Sequence, residues 1–206
     1  MTMFRRLPLL ALAAMLLLPG AATAQDDTAE PSATPAAVDD TRIAELRALV
    51  PEQLAGIPLR EDLQVATGEQ LAGQMSDDEY AVFEEMLTEQ GRSFADYVAA
   101  SVYLPITDTQ VVVVQAHRVE DIDASETIEG WIEILGLNAE QPRVVAASIA
   151  GREFVLVSDD AHPDFPPLTM FAAGDVVWMV VSENEALVQE AVRALSAASD
   201  PLGLEE

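Results

Sequence analysis

The chain has no cysteine and no lysine. Without thiols it can form no disulfide, no thiolate nucleophile, no thiolate metal site and no cysteine-linked lipid, so the fold must be held by its core alone. Without lysine, ten arginines face 36 acidic residues, and the formal net charge is −26. A surface this acidic repels phosphate backbones and anionic membranes, which excludes nucleic-acid binding as a function class. Cationic partners, or a calcium-rich or salty exterior, are compatible with it. Catalytic signatures are also missing. No serine stands in a G-x-S-x-G elbow, and there is no glycine-rich phosphate loop or dinucleotide fingerprint. Acidic residues are so frequent that no single carboxylate pair singles out a glycosidase.

One apolar run is present, at the start. Arg5 and Arg6 precede Leu7 to Leu18, which is interrupted only by Pro8, and Ala22–Thr23–Ala24 supplies the small-x-small pattern of a cleavage site. These three parts form a secretory signal peptide over residues 1–24, and the run is short for a membrane anchor. Cleavage after Ala24 implies a secreted or periplasmic protein, with no integral membrane segment left afterwards. Loss of Arg5 and Arg6 leaves eight arginines against the same 36 acids, a formal charge of −28. Residues 25–40, "QDDTAEPSATPAAVDD", hold almost no large apolar group. They cannot bury enough surface to offset the entropy of ordering, and read as a flexible acidic linker. Residues 41–206 are the length of one domain.

Capping chemistry marks three helices within that domain. Ser76 and Glu79 form a capping box ahead of Tyr80, Phe83, Met86 and Leu87, with Gly91 at the end. Asp123 and Glu126 stand at the same spacing before Ile128, Trp131, Ile132 and Leu135, and Gly136 follows. Ser182 and Glu185 repeat the pattern before Leu187, Val188, Ala191 and Leu195. A fourth, weaker helix is expected over Thr41–Leu49, stopped by Pro51.

The β-branched runs between the helices read as strands. Tyr97–Leu104 and Gln110–Val119 flank a turn at "ITDT". Arg143–Ile149 and Glu153–Val157 flank Ala150, Gly151 and Arg152. Leu168–Ala172 and Val176–Val181 flank "AGD". A short strand is expected near Asp62–Ala66. The order strand, turn, strand, helix occurs at Tyr97–Gly136 and again at Leu168–Leu195, which suggests two related β-β-α units. The expected fold is α+β: an antiparallel sheet of hairpins with three to four helices packed mainly on one face.

Four segments invite a chemical reading. "VSDDAHPDFPPLTMF" brings Asp159, Asp160, His162 and Asp164 together, and carboxylates and imidazole are ordinary cation ligands. No further ligand can be named from other elements, however. Pro163, Pro166 and Pro167 favour extended backbone, so a stiff loop joining two strands is the simpler reading. "DIDASETIEGWIE" places Asp121, Asp123, Ser125 and Ile128 at EF-hand positions, but Glu126 replaces the required glycine and Ile132 the bidentate glutamate. His117 lies in a strand, with no catalytic partner in sight. Met170, Phe171, Trp178 and Met179 supply adaptable apolar surface for a groove.

These readings converge on an exported, non-enzymatic binding domain that needs no cofactor. Its partner is either another protein or a small hydrophobic ligand, the latter making it a carrier. A metal-assisted hydrolase built on the 159–164 loop is the remaining alternative.

Overall fold

The computed structural model describes residues 41–54, 56–105, 111–149 and 151–199. The stretches expected to be a signal peptide and an acidic linker, and the expected "ITDT" turn, lie outside the described residues.

Helix α1 (Thr41–Leu49) ends ahead of Pro51, as its sequence requires. Two short strands, β1 (Gln53–Leu54) and β2 (Ile57–Pro58), follow as a minimal hairpin apart from the main sheet. Strand β3 (Gln64–Thr67) runs straight into a one-turn helix, α2 (Gly68–Ala72). Thr67 and Gln70 cap α2 reciprocally, each side chain meeting the other's backbone amide.

Helix α3 (Asp77–Glu89) carries the predicted capping box. The Ser76 hydroxyl accepts from the Glu79 amide, and the Glu79 carboxylate accepts from the Ser76 amide at 2.9 Å. The helix ends at Gly91, whose φ of 68° is left-handed. The amides of Gly91 and Arg92 then donate to the carbonyls of Thr88 and Leu87, a Schellman termination.

Three hairpins build most of the sheet. The first is β4 (Tyr97–Pro105) and β5 (Val111–Val119), followed by a 3₁₀ turn at Ala124–Thr127 and α4 (Ile128–Leu137). Next come β6 (Pro142–Ile149) and β7 (Arg152–Asp159). The last hairpin is β8 (Leu168–Ala173) and β9 (Val176–Ser182), followed by α5 (Glu185–Ser199). Seven strands form one antiparallel sheet in the order β3-β4-β5-β9-β8-β7-β6. The α+β class with an antiparallel sheet of hairpins is thus observed.

Two expected caps differ in detail. Asp123 caps the 3₁₀ turn, accepting from the Ser125 amide at 2.9 Å, rather than α4 itself. Asn184 caps α5, accepting from the amides of Ala186 and Leu187, while Ser182 closes β9 and accepts from Asn184. Thr127, the N-cap of α4, makes no side-chain cap bond, whereas at α5 an Asx side chain two residues nearer the helix than Ser182 takes the orphan amides.

The helices cover both faces of the sheet, where one-sided packing is expected from sequence. On one face, Phe83, Met86 and Leu87 of α3 and Trp131, Ile134 and Leu135 of α4 pack with Tyr97, Val113, Val177 and Met179. On the other, Leu46 of α1 and Val188, Ala191, Val192 and Leu195 of α5 pack with Val98, Val114, Phe171 and Trp178. Successive strand residues point to opposite faces, so each central strand serves both cores. All seven residues of β9 are buried. Both hairpin–helix units exist, yet α4 and α5 lie on opposite faces. Each large side chain buried in this way contributes about 1.5–3 kcal/mol.

Two glycines on helices have opposite surroundings. A Cβ on Gly68 would sit 2.2 Å from the Phe94 carbonyl oxygen, whereas one on Gly136 would meet nothing within 4 Å. Gly68→Ala is therefore expected to lower stability by about 1–3 kcal/mol through forced displacement of backbone. Gly136→Ala should raise it by about 0.5–1 kcal/mol by restricting the unfolded chain and favouring helix. Chemical denaturation of the two variants beside the parent reads both signs.

Candidate functional site

The acidic loop between β7 and β8 is held by one of its own members. Asp159 ends β7 and is buried. Its carboxylate accepts from the backbone amides of Glu140, Gln141 and Ala161 at 2.9–3.1 Å, and it pairs with His162 Nδ1 at 2.9 Å. Burial alone would raise its pKa, but the His162 contact and the three amides outweigh that and hold the carboxyl well below the usual range. Asp159 therefore ties the approach to β6 to the end of β7, and its oxygen lone pairs are spent. Asp160 and Asp164 are exposed, and His162 is half-buried against Asp159. No group of three or more His, Asp or Glu side chains suited to a metal occurs among the described residues. The chemistry of this stretch is that of a stiff, internally bonded connection.

The calcium-like stretch is equally committed. Asp123 is occupied by the Ser125 amide and hydroxyl. Asp121 has a left-handed φ of 54° and pairs with Arg92 at 3.3 Å.

His117 is buried between Tyr97 and Trp131. Its Nδ1 lies 2.6 Å from the Tyr97 hydroxyl, and its ring centroid is 4.3 Å from that of Trp131. Its Nε2 has no protein partner among the described residues. With no carboxylate beside it, burial pushes the imidazole pKa down to about 3, so the ring is neutral. The neutral ring is buried under Trp131 and packs within the core.

Features that can meet another molecule gather at one margin of the sheet. Strand β6 is the outermost strand and is exposed along most of its length. Val144 and Val145 are 45% and 39% exposed, among the most exposed large apolar residues described. Its only charged residue is Arg143. The register Ile149↔Arg152 closes a two-residue turn, which makes that pair hydrogen-bonded. Val144, Ala146 and Ser148 then direct their backbone N–H and C=O groups away from β7. The opposite edge, β3, is half as long and better covered. Between β7 and β8 lies an open cleft of about 1160 Å³. Met170 and Phe171 line it as the sequence suggests, whereas Trp178 and Met179 sit in the two cores away from it. No family model, curated protein or solved structure matches this chain.

The buried imidazole gives folding a defined pH dependence. The folded-state pKa of His117 lies below its unfolded value of about 6.5, so the unfolded chain binds the proton first. Stability is complete above pH 6.5 and falls as pH drops towards 3. At pH 4 the loss from this residue is about 3 kcal/mol. The double variant His117→Phe, Tyr97→Phe should flatten thermal stability between pH 6.5 and 4. An unchanged slope in a pH series of melting curves would locate the acid sensitivity elsewhere.

Proposed function

We propose that this protein is a non-enzymatic interaction domain that acts outside the cytoplasmic membrane and captures an extended segment of another protein along β6. The observation that carries this reading is the open edge itself: eight residues long, exposed on both faces and uncharged beyond Arg143. Sheet edges are normally blunted by charge, proline, shortness or a covering element, because unpaired backbone recruits other strands. Pro142 and Arg143 protect only the start of β6. From Val144 to Ile149 there is no charge, no proline and no further paired strand among the described residues. Strand addition would draw affinity from main-chain hydrogen bonds and selectivity from contacts at Val144 and Val145. The net charge of −26 over the whole chain favours a partner with basic flanks. Action outside the membrane rests on the amino-terminal leader pattern. No helix among the described residues is long and apolar enough to cross a membrane.

Ala146→Pro removes an outward N–H from the middle of the edge and nothing from the β7 ladder. Tagged parent and Ala146→Pro chains, recovered from the exported fraction of their own cell, should differ by the loss of a co-purifying protein in the variant. Equal melting temperatures confirm that the variant is folded. Identical co-purifying sets from the two chains would remove β6 as the docking edge.

A further inference from the structure

Strand β6 has two chemically different sides. The cleft wraps the end of the β6–β7 hairpin, because Ala146 to Ile149 line it together with residues of β7, β8, α4 and α5. Side chains of successive strand residues point to opposite faces. Ala147 pairs with Phe154 and packs with the α5-side core, so Arg143, Val145, Ala147 and Ile149 face α5. Val144, Ala146 and Ser148 face the α4 side, where Ala146 pairs with Val155 and Ser148 with Glu153.

Charge is sorted between these sides. On the α4 side the charged residues that line the cleft are Glu129 and Glu153, with no arginine beside them in the lining. Both are exposed, and neither carboxylate has a hydrogen bond or ion pair among the described residues. On the α5 side the charged lining residues are Arg152 and Arg193. Arg152 is already engaged, in part by the Ala172 carbonyl. Arg193 is exposed and makes no hydrogen bond or ion pair among the described residues. One turn further along α5, the Ser196 hydroxyl lines the same cleft, buried and without a partner among the described residues. Arg143, the only charge on β6, lies on the α5 face too.

A strand added to β6 continues the alternation. A residue opposite Ser148 would stand on the α4 face, about 10 Å from Glu153 across two strand spacings. Ser148 is small, so a long basic side chain can lie over it and meet that carboxylate. A residue opposite Ala147 would stand on the α5 face, where α5 approaches β6 and Arg193 is unpaired.

We propose that the extended segment captured along β6 is two-faced, with basic side chains towards α4 and an acidic side chain towards α5. This pattern presupposes capture along β6 and adds its register and selectivity. A slip of one residue would turn the basic side chains towards Arg193 and the acidic one towards Glu153, so charge sorting selects one register. A uniformly basic strand would set like charges beside Arg193, and an apolar strand would leave Glu153 and Arg193 unpaired.

Fluorescence anisotropy with two labelled, capped peptides of eight residues, the length of β6, tests this. One alternates valine and threonine. The other carries arginines on one face and glutamates on the opposite face. At physiological ionic strength, where distant charges are screened, the two-faced peptide is expected to bind more tightly than the neutral one. Glu153→Gln and Arg193→Gln should each weaken it about threefold, the size of an exposed ion pair, and leave the neutral peptide unchanged. Both positions are exposed, and equal melting temperatures confirm that the variants are folded. Equal affinity for the two peptides, indifference of the two-faced peptide to either substitution, or no binding by either peptide overturns the proposal. Ala146→Pro separates this outcome from the fate of the edge. Equal affinities in the parent, both lost in Ala146→Pro, remove the charge pattern and keep β6 as the docking edge. Peptide binding that survives Ala146→Pro lies elsewhere on the chain and removes both. If neither peptide binds, the edge stands or falls on the co-purifying protein alone.

Discussion

The ladder between β5 and β9 is the constraint on which the remainder of the structure depends. It runs from Val112↔Ser182 to Arg118↔Val176 at the centre of the sheet. Both strands bury side chains towards both faces, so neither face can be left to water. This forces helices onto each side: α3 and α4 over Tyr97, Val113 and Met179, and α1 and α5 over Val114 and Trp178. The register is fixed equally firmly. A slip of one residue would exchange the two cores, driving Trp178 towards Trp131 and Met179 towards α5. Polar bonds then pin the periphery to this frame. Arg118, at the end of β5, pairs with Glu45 of α1 at 2.8 Å and with Asp175 of the β8–β9 turn at 2.6 Å. Glu79 accepts from Asn138 at 2.9 Å, joining the start of α3 to the end of α4.

Burial fades from that centre to one margin. β9 is wholly buried, β7 is mixed, and β6 is mostly exposed. The helices cover the central strands fully and the outermost hairpin only in part, where α5 approaches β6. A partly covered hairpin can separate from its neighbour at little cost, and β7 does separate from β8 beyond Val155. The open edge and the cleft thus share one cause, a sheet wider than the helices that cover it. The acidic surface makes such an edge tolerable in an isolated chain, because mutual repulsion keeps copies apart.

Much of this was legible in the sequence, and the misses have identifiable reasons. Ser76 and Glu79 state the start of α3 directly, and the hairpins at Gly151 and Gly174 follow from glycines whose φ values are 81° and 61°. One-sided packing was the wrong inference from the right strands. "VVVV" at Val111–Val114 and "VVWMVV" at Val176–Val181 do not alternate, and unbroken apolar runs belong to strands covered on both faces. That signal was present and outweighed by the habit of antiparallel sheets. Thr67 and Gln70 spell the capping box of α2, but one turn is too short for an apolar stripe to mark it in the sequence. The role of Asp159 was not legible. Its partners are backbone amides at Glu140 and Gln141, and sequence names side chains only. The cleft was half legible, since Met170 and Phe171 line it. Nothing in the sequence shows where a strand ladder stops.

Amide hydrogen exchange across the sheet of the isolated chain tests the central claim, that a doubly buried ladder carries a deliberately open margin. The account predicts that the amides of β9 exchange only through global unfolding, while those of Val144, Ala146 and Ser148 exchange orders of magnitude faster. Protection of those three amides at the level of β9 would mean that the β6 edge is already paired or covered, and would contradict it.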